Sequence, residues 1–220
     1  MDQLLQSHPC SLATTATVQI KATPTSLGGR YSQEATIVLK IRGAGGILLG
    51  HACHAWLWEA ADHRALSNFS DGYSTRAGEI RNPYNLTQGT SGSSGGSAVA
   101  VAINQATIAL GSETHGSLVR PASHLGLYTI KSTPGVISRH GIVAGSFYHD
   151  IPGPMARSMA DVALLLNIIA GADQHDNLTW TGLGKIPYEG YEAQIAGQSA
   201  LKGMKLGLPW NSNNIPRSIT

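Results

Sequence analysis

The chain has 220 residues, 42% of them hydrophobic, which is enough to bury a core of ordinary size. Only 13% of the residues are charged and 26 are glycines without a three-residue period, so long helical bundles and collagen are excluded. The net charge is +2 and the chain has no run of basic residues, so nucleic acid is not an expected partner. No apolar stretch is long enough to span a bilayer, so a membrane is not expected either. A cytoplasmic location is expected.

The first part of the chain alternates irregular and regular segments. Residues 1–24 are rich in Ser, Thr and Pro and are predicted to be an irregular N-terminal segment. Apolar residues at helical spacing predict a helix over residues 33–42, and a β-like run follows at residues 47–49. A second helix is predicted over residues 54–64, before a long polar loop over residues 68–89.

The centre of the chain contains two loops of small residues. Residues 89–97 are only Gly, Ser and Thr, and they lead directly into an apolar helix predicted over residues 98–103. A β-like run at residues 107–110 precedes the second loop, residues 111–117, and a turn is predicted at Pro121. Loops of this kind leave backbone N–H groups accessible, because glycine and serine add little bulk.

The last part of the chain predicts one further helix and one strand. Ser158, with Asp161 three residues later, is a capping pattern, and the apolar run after it predicts a helix that ends at Gly171. Residues 204–208 are predicted to form a strand. Short strands alternating with helices indicate an α/β fold, a mixed β-sheet core flanked by helices.

The first small-residue loop has several possible functions. A flexible linker is disfavoured, because linkers do not open into an apolar helix. A phosphate-binding loop is disfavoured by the absence of a lysine within it. Residues 92–96 match Gly-x-Ser-x-Gly with Ser94 as the nucleophile, but that motif requires a preceding strand, and the residues before it are polar.

The two loops together resemble the amidase signature family of Ser-Ser-Lys hydrolases, in particular its fungal-type members. Ser93 in the first loop and Ser117 at the end of the second are 24 positions apart, as in that family. The similarity extends over residues 25–210, with further matching segments at residues 81–84 and 150–157. It implies that residues 25–220 form a partial amidase-signature domain that lacks the C-terminal half.

The resemblance also implies roles for the loop residues. Ser117 is the implied nucleophile, and Ser93, which follows a cis peptide bond in the family, is the implied relay serine. The N–H groups of Thr114, His115, Gly116 and Ser117 are the implied oxyanion hole, which amide hydrolysis needs because it passes through a tetrahedral oxyanion. The expected partner is a small-molecule amide substrate, with no cofactor.

The third catalytic residue of the family is a lysine in a Lys-Asp-Asn segment after a short strand. Lys21 lies 72 residues before Ser93 and follows a β-like run, but residues 22–24 are Ala-Thr-Pro. A buried neutral amine would accept the relayed proton. Lys40 and Lys131 are weaker candidates, because one lies in the first predicted helix and the other after the second loop.

No metal site is expected. His51, Cys53 and His54 lack the spacing of zinc ligands, and Cys10 is isolated. Glu113, in the second loop, is expected to brace that loop through hydrogen bonds.

Three functions remain open from the sequence. The first is an amidase that cleaves a carboxamide C–N bond through a serine acyl-enzyme. The second is a catalytically inactive amidase-like protein that acts as a binding or partner module, and the third is an amidotransferase subunit that delivers ammonia to a partner. Neither the substrate nor the oligomeric state is indicated.

Overall fold

The computed structural model describes residues 34–50, 52, 72–74, 78–142 and 146–205. Its helices are α1 (Thr36–Gly43), α2 (Gly95–Ala102), α3 (Val119–His124) and α4 (Met159–Ile169). Its strands are β1 (Tyr73–Ser74), β2 (Gly78–Glu79), β3 (Ile108–Glu113), β4 (Tyr128–Thr129) and β5 (Ile151–Ala156). Short 3₁₀ helices follow at Asn177–Gly182, Glu192–Gln194 and Gln198–Leu201. The segment predicted over residues 1–24 and the helix predicted over residues 54–64 lie outside the described residues.

The central sheet has the strand order β3-β5-β4, and both pairs are antiparallel. β3 and β5 pair along their whole length, from Ile108 opposite Ala156 to Glu113 opposite Ile151. β4 pairs only with the last two residues of β5. The first residue of β5, Ile151, therefore pairs with the last residue of β3, Glu113, which belongs to the second small-residue loop.

Helices pack on both faces of this sheet. Leu110 of β3 lies in a buried cluster with Leu166 of α4 and apolar side chains of α1. Met155 of β5, which pairs with Ala109, packs instead with Ala98 of α2. Successive residues of a strand point to opposite faces, so the two groups of helices lie on opposite sides of the sheet. The predicted α/β class, a β-sheet core flanked by helices, is confirmed.

The helices predicted over residues 33–42 and after Ser158 are present as α1 and α4. The side chain of Ser158 accepts a hydrogen bond from the N–H of Asp161 at 3.1 Å, which is the predicted cap. Such a cap satisfies one of the backbone donors that a helix start leaves without a partner. α4 ends two residues before Gly171, whose φ of +114° suits glycine.

Several predicted strand and turn positions differ from the structure. Residues 47–49 are not a strand. Met204 and Lys205 are not in a strand either, and residues 206–208 of that predicted strand lie outside the described residues. β3 continues through Glu113 into the predicted loop, because β5 pairs with it. Pro121 lies in the first turn of α3 instead of in a separate turn. Proline is tolerated there, because the first N–H groups of a helix have no intrahelical acceptor.

β5 contains two prolines, a composition that disfavours an inner strand. Pro152 and Pro154 lie opposite Ser112 and Leu110 of β3, so β5 stays paired with β3 along this edge in spite of the prolines. On the other edge β4 has already ended, and the chain passes close to Gly153 instead. A Cβ atom at Gly153 would lie 2.6 Å from the carbonyl oxygen of Ile130, so only glycine permits this crossing.

A buried ion pair fixes the segment that follows α4. Asp176 is 8% exposed and accepts hydrogen bonds from Arg139 Nη2 at 2.9 Å and Nε at 3.0 Å. Burial alone would raise the pKa of Asp176, but the hydrogen bonds from Arg139, together with its charge and the N–H of Leu178, lower it overall. The ionised carboxylate is therefore the form that the fold stabilises.

The Asp176→Asn variant should lose about 2 kcal/mol of unfolding free energy at pH 7, because a charged hydrogen-bond acceptor is replaced by a neutral amide. The pKa of Asp176 is lowered in the folded state, so its contribution is complete above pH about 4 and is lost as the pH falls further. Urea unfolding at pH 7 and pH 3 should therefore show a difference from wild type that shrinks in acid. The exposed Glu192→Gln is the control, and equal losses for both variants would contradict the prediction.

None of the helices in the described part of the chain has the length and apolarity that a membrane crossing requires.

Candidate active site

The first small-residue loop joins α2 through an unusual backbone. The peptide bond between Gly92 and Ser93 is cis, at the position where the family resemblance implies one. Ser93 is 9% exposed, and α2 begins two residues later, at Gly95. A Cβ atom at Gly95 would lie 2.9 Å from Thr90 Oγ1, so the small residues allow the loop to pack tightly against the helix start.

Ser94 joins the two loops and is not available as a nucleophile. Its Oγ donates to the carbonyl oxygen of Ser112 at 3.1 Å and accepts from the N–H of the same residue at 3.1 Å. Its side chain is fully buried. The match of residues 92–96 to a nucleophile motif is therefore accidental, because the central serine bridges the loop to β3.

A second contact brings the two loops together at the serines of interest. The N–H of Ser94 donates to the carbonyl oxygen of Ser117 at 3.2 Å, so Ser117 lies beside the residue that follows Ser93. Ser117 is 9% exposed, like Ser93. A Cβ atom at Gly111 would lie 2.6 Å from Ser94 Oγ, so glycine is needed where the loops meet. Two serines that are 24 positions apart in sequence thus lie close together in the fold.

The turn between β3 and α3 contains one residue with a left-handed backbone. Gly116 has a φ of +83°, in the left-handed region that favours glycine. A Cβ atom at Gly116 would also lie 2.8 Å from Arg120 Cδ, so a larger residue would displace that side chain. His115 is exposed beside it. A residue with a Cβ atom at position 116 would therefore be strained.

Glu113 braces this turn from inside the protein. Its Oε2 accepts hydrogen bonds from the N–H of Leu118 at 2.8 Å and of Val119 at 3.0 Å. Burial alone would raise the pKa of Glu113, but the N–H groups of Val119, Leu118 and Gly116 and the charge of Lys131 lower it overall. The carboxylate of Glu113 therefore ties the end of β3 to the start of α3.

Thr114, the first residue of the turn, is held by two charged side chains. Its hydroxyl donates to the carboxylate of Asp150, which also accepts from the N–H of Ser146 at 2.7 Å. Its carbonyl oxygen accepts from Lys131 Nζ at 2.6 Å. Sequence reasoning identified Thr114 but not these partners, because both come from segments that only the sheet brings close.

The lysines are placed differently from one another. Lys21 lies outside the described residues. Lys40 Nζ donates to the carbonyl oxygens of Ile169 at 3.3 Å and Ala170 at 2.8 Å, at the end of α4. Burial lowers the pKa of Lys40, although Asp173 opposes this effect. Lys40 and Lys131 both donate hydrogen bonds to backbone carbonyl oxygens. Because this contact uses the protonated ammonium, neither lysine is arranged as a free proton acceptor.

The described residues contain no cluster of three or more His, Cys, Asp or Glu side chains suited to a metal ion.

The chain is similar to known proteins over most of its length. A profile of the Amidase family matches residues 12–219. A Schizosaccharomyces pombe protein named "Putative amidase" is 40% identical over 185 residues, which is 84% of this chain and 31% of that protein. A glutamyl-tRNA(Gln) amidotransferase subunit from Symbiobacterium thermophilum is 39% identical over 176 residues, which is 80% of this chain and 33% of that protein.

A solved amidase structure is also similar to this chain. The native peptide amidase of Stenotrophomonas maltophilia matches with a TM-score of 0.70 and 41% identity, over 81% of this chain and 37% of that chain. The chain spans about a third of the length of the curated relatives it matches.

Proposed function

The chain belongs to the amidase family, and from this premise we propose that it hydrolyses the C–N bond of a small-molecule carboxamide through a serine acyl-enzyme. The observation that carries the proposal is the joining of the two serine loops. A cis peptide bond precedes Ser93, and the N–H of Ser94 binds the carbonyl oxygen of Ser117. Both serines are largely buried, so a bound substrate would exclude water around them.

In this proposal Ser117 Oγ attacks the carboxamide carbon, and its proton moves to Ser93 as the proton of Ser93 moves to the base. The tetrahedral oxyanion accepts hydrogen bonds from the N–H groups of Thr114, His115, Gly116 and Ser117. The C–N bond then breaks as the proton returns through Ser93 to the leaving nitrogen. Water attacks the resulting ester and releases the carboxylate and free Ser117.

Lys21 is the proposed base. Its support is the family resemblance, its position before Ser93 and the backbone contacts that occupy Lys40 and Lys131. A neutral amine in a buried site has the basicity to take the proton of a serine at neutral pH. Lys21 and Ser93 would then act as one proton relay.

The test is covalent labelling with a fluorophosphonate, which reacts with activated serines, followed by digestion and mass spectrometry. The adduct should form on Ser117 and not on Ser94, whose Oγ is already bonded to Ser112. In a Lys21→Met variant the labelling rate should fall by about 10²-fold or more, because a general base contributes 10²–10⁴-fold. Absence of an adduct on a folded wild-type sample, checked by circular dichroism, would overturn the proposal.

An amidotransferase subunit is the second candidate, because relatives of that name are 38–40% identical to this chain. The discriminating measurement compares release of ammonia from glutamine with hydrolysis of simple carboxamides such as peptide amides. Glutaminase activity that requires a second chain would favour the amidotransferase. Labelling of Ser117 without turnover of either substrate would favour the third candidate, an inactive binding module.

A further inference from the structure

Lys131 reaches the active-site turn because of how the chain crosses the sheet. It lies two residues after the end of β4, which pairs with β5 and not with β3. Beyond β4 the chain passes over Gly153, where a Cβ atom would meet the carbonyl oxygen of Ile130 at 2.6 Å. This crossing carries Lys131 to the end of β3, where the turn with Ser117 begins.

The ammonium group of Lys131 has two partners there. Nζ donates to the carbonyl oxygen of Thr114 at 2.6 Å and lies 3.8 Å from Glu113 Oε1. The side chain of Glu113 is only 5% exposed and that of Lys131 is 29% exposed, so the contacts are partly shielded from water. The opposite charge of Glu113 keeps the ammonium in place, and the shorter contact is with the backbone.

Holding this carbonyl also sets the direction of one N–H group. The Thr114–His115 peptide bond is trans, so its C=O and N–H point in opposite directions. The side chain of Thr114 is held separately by Asp150, which limits rotation of the same peptide. No described residue accepts a hydrogen bond from the N–H of His115. That N–H is therefore directed away from Lys131, and it has no acceptor among the described residues.

We propose that Lys131 is a positioning residue that orients the Thr114–His115 peptide, so that the N–H of His115 points at the oxyanion formed when Ser117 attacks. The inference rests on the proposed function. A cation on the carbonyl oxygen also polarises the peptide, which strengthens the N–H as a donor. Its effect is then larger on the transition state than on the bound substrate, because the charge on the substrate oxygen develops only during the reaction.

The test compares Lys131→Met with Lys131→Arg and Lys40→Met in the full chain. Lys40 is the matched control, because it is also a partly buried lysine that donates to backbone carbonyls, but at the end of α4. Lys131→Met should lower kcat by about 10- to 100-fold and change KM by less than about threefold, since a misdirected oxyanion donor costs less than the 10²–10³-fold of a deleted one. Affinity for a trifluoromethyl ketone, which forms a tetrahedral adduct with serine, should fall by the same factor as kcat.

Lys131→Arg should recover part of kcat, and Lys40→Met should leave kcat unchanged even if it lowers Tm. Unchanged kcat in Lys131→Met, or a loss confined to KM, would overturn the inference. A second readout does not depend on activity: the ¹³C shift of the Thr114 carbonyl should change in Lys131→Met and not in Lys40→Met, and an unchanged shift also overturns the inference. A wild type that neither turns over amides nor labels at Ser117 would instead overturn the proposed function.

Discussion

Replacing Ser117 by alanine should abolish amide hydrolysis, with kcat reduced by about 10⁴- to 10⁶-fold, the loss typical when the nucleophile of a serine hydrolase is removed. The reason is that, in the proposed mechanism, the covalent step needs the Ser117 oxygen, and the nearby Ser94 cannot replace it. Ser94 Oγ is fully buried and bonded to both backbone groups of Ser112. Residual turnover would come only from substrate binding and the oxyanion donors. The measurement is steady-state hydrolysis of a carboxamide, together with fluorophosphonate labelling of the same samples.

Ser123→Ala is the matched control for Ser117→Ala. Ser123 is an exposed serine of α3, six positions along the chain, and its Oγ donates to the carbonyl oxygen of Arg120 at 2.8 Å. This variant should keep wild-type kcat and wild-type labelling. If Ser117→Ala kept more than about a tenth of the activity in a folded sample, the acyl-enzyme would have to form on another residue, and the proposed function would be wrong.

Glu113→Ala should lower both stability and activity, by about 3 kcal/mol of unfolding free energy and about 10²-fold in kcat. Removing the carboxylate leaves the N–H groups of Leu118 and Val119 without their acceptor and Lys131 without its counter-charge. The turn that carries Ser117 would then lose its internal brace. Urea unfolding measures the first effect and carboxamide hydrolysis the second.

One further variant separates the charge of Glu113 from its shape, and a second, at another glutamate, is the control. Glu113→Gln keeps an acceptor oxygen and should fall between wild type and Glu113→Ala. Because the pKa of Glu113 is lowered in the fold, its stabilisation is present above pH about 4.3 and is lost as the pH falls through the lowered pKa, so the deficit of Glu113→Gln should shrink in acid. Glu79→Ala, which removes an exposed glutamate paired with Arg81 at 3.4 Å, is the control and should change neither quantity. Equal losses at Glu79 and Glu113 would contradict the proposed brace.

Local patterns predicted the parts of the fold that depend on neighbouring residues. The cap at Ser158 and the helix after it depend on contacts within one turn, so residue spacing was sufficient. The same holds for α1, whose buried residues Ile37, Val38 and Ile41 repeat at helical spacing.

Strand pairing was poorly predicted, because it depends on distant partners. β5 contains Pro152 and Pro154, yet it is a strand because β3 pairs with it along one whole edge. Along the other edge, β4 pairs only with the last two residues of β5. The extension of β3 to Glu113 has the same cause. Residues 47–49 have a β-like composition, but no strand of the described chain pairs with them.

The sequence by itself determined which residue types the candidate site contains: two serines at a fixed separation, an acidic residue before the second, and glycines where the backbone needs them. Only the tertiary structure decided how these groups are oriented. It assigned Ser94 to the link between the loops and brought Lys131 across Gly153 to the carbonyl of Thr114. The physical reason is that each of these orientations depends on a hydrogen bond or close approach between segments separated in sequence, and local propensity carries no information about such contacts.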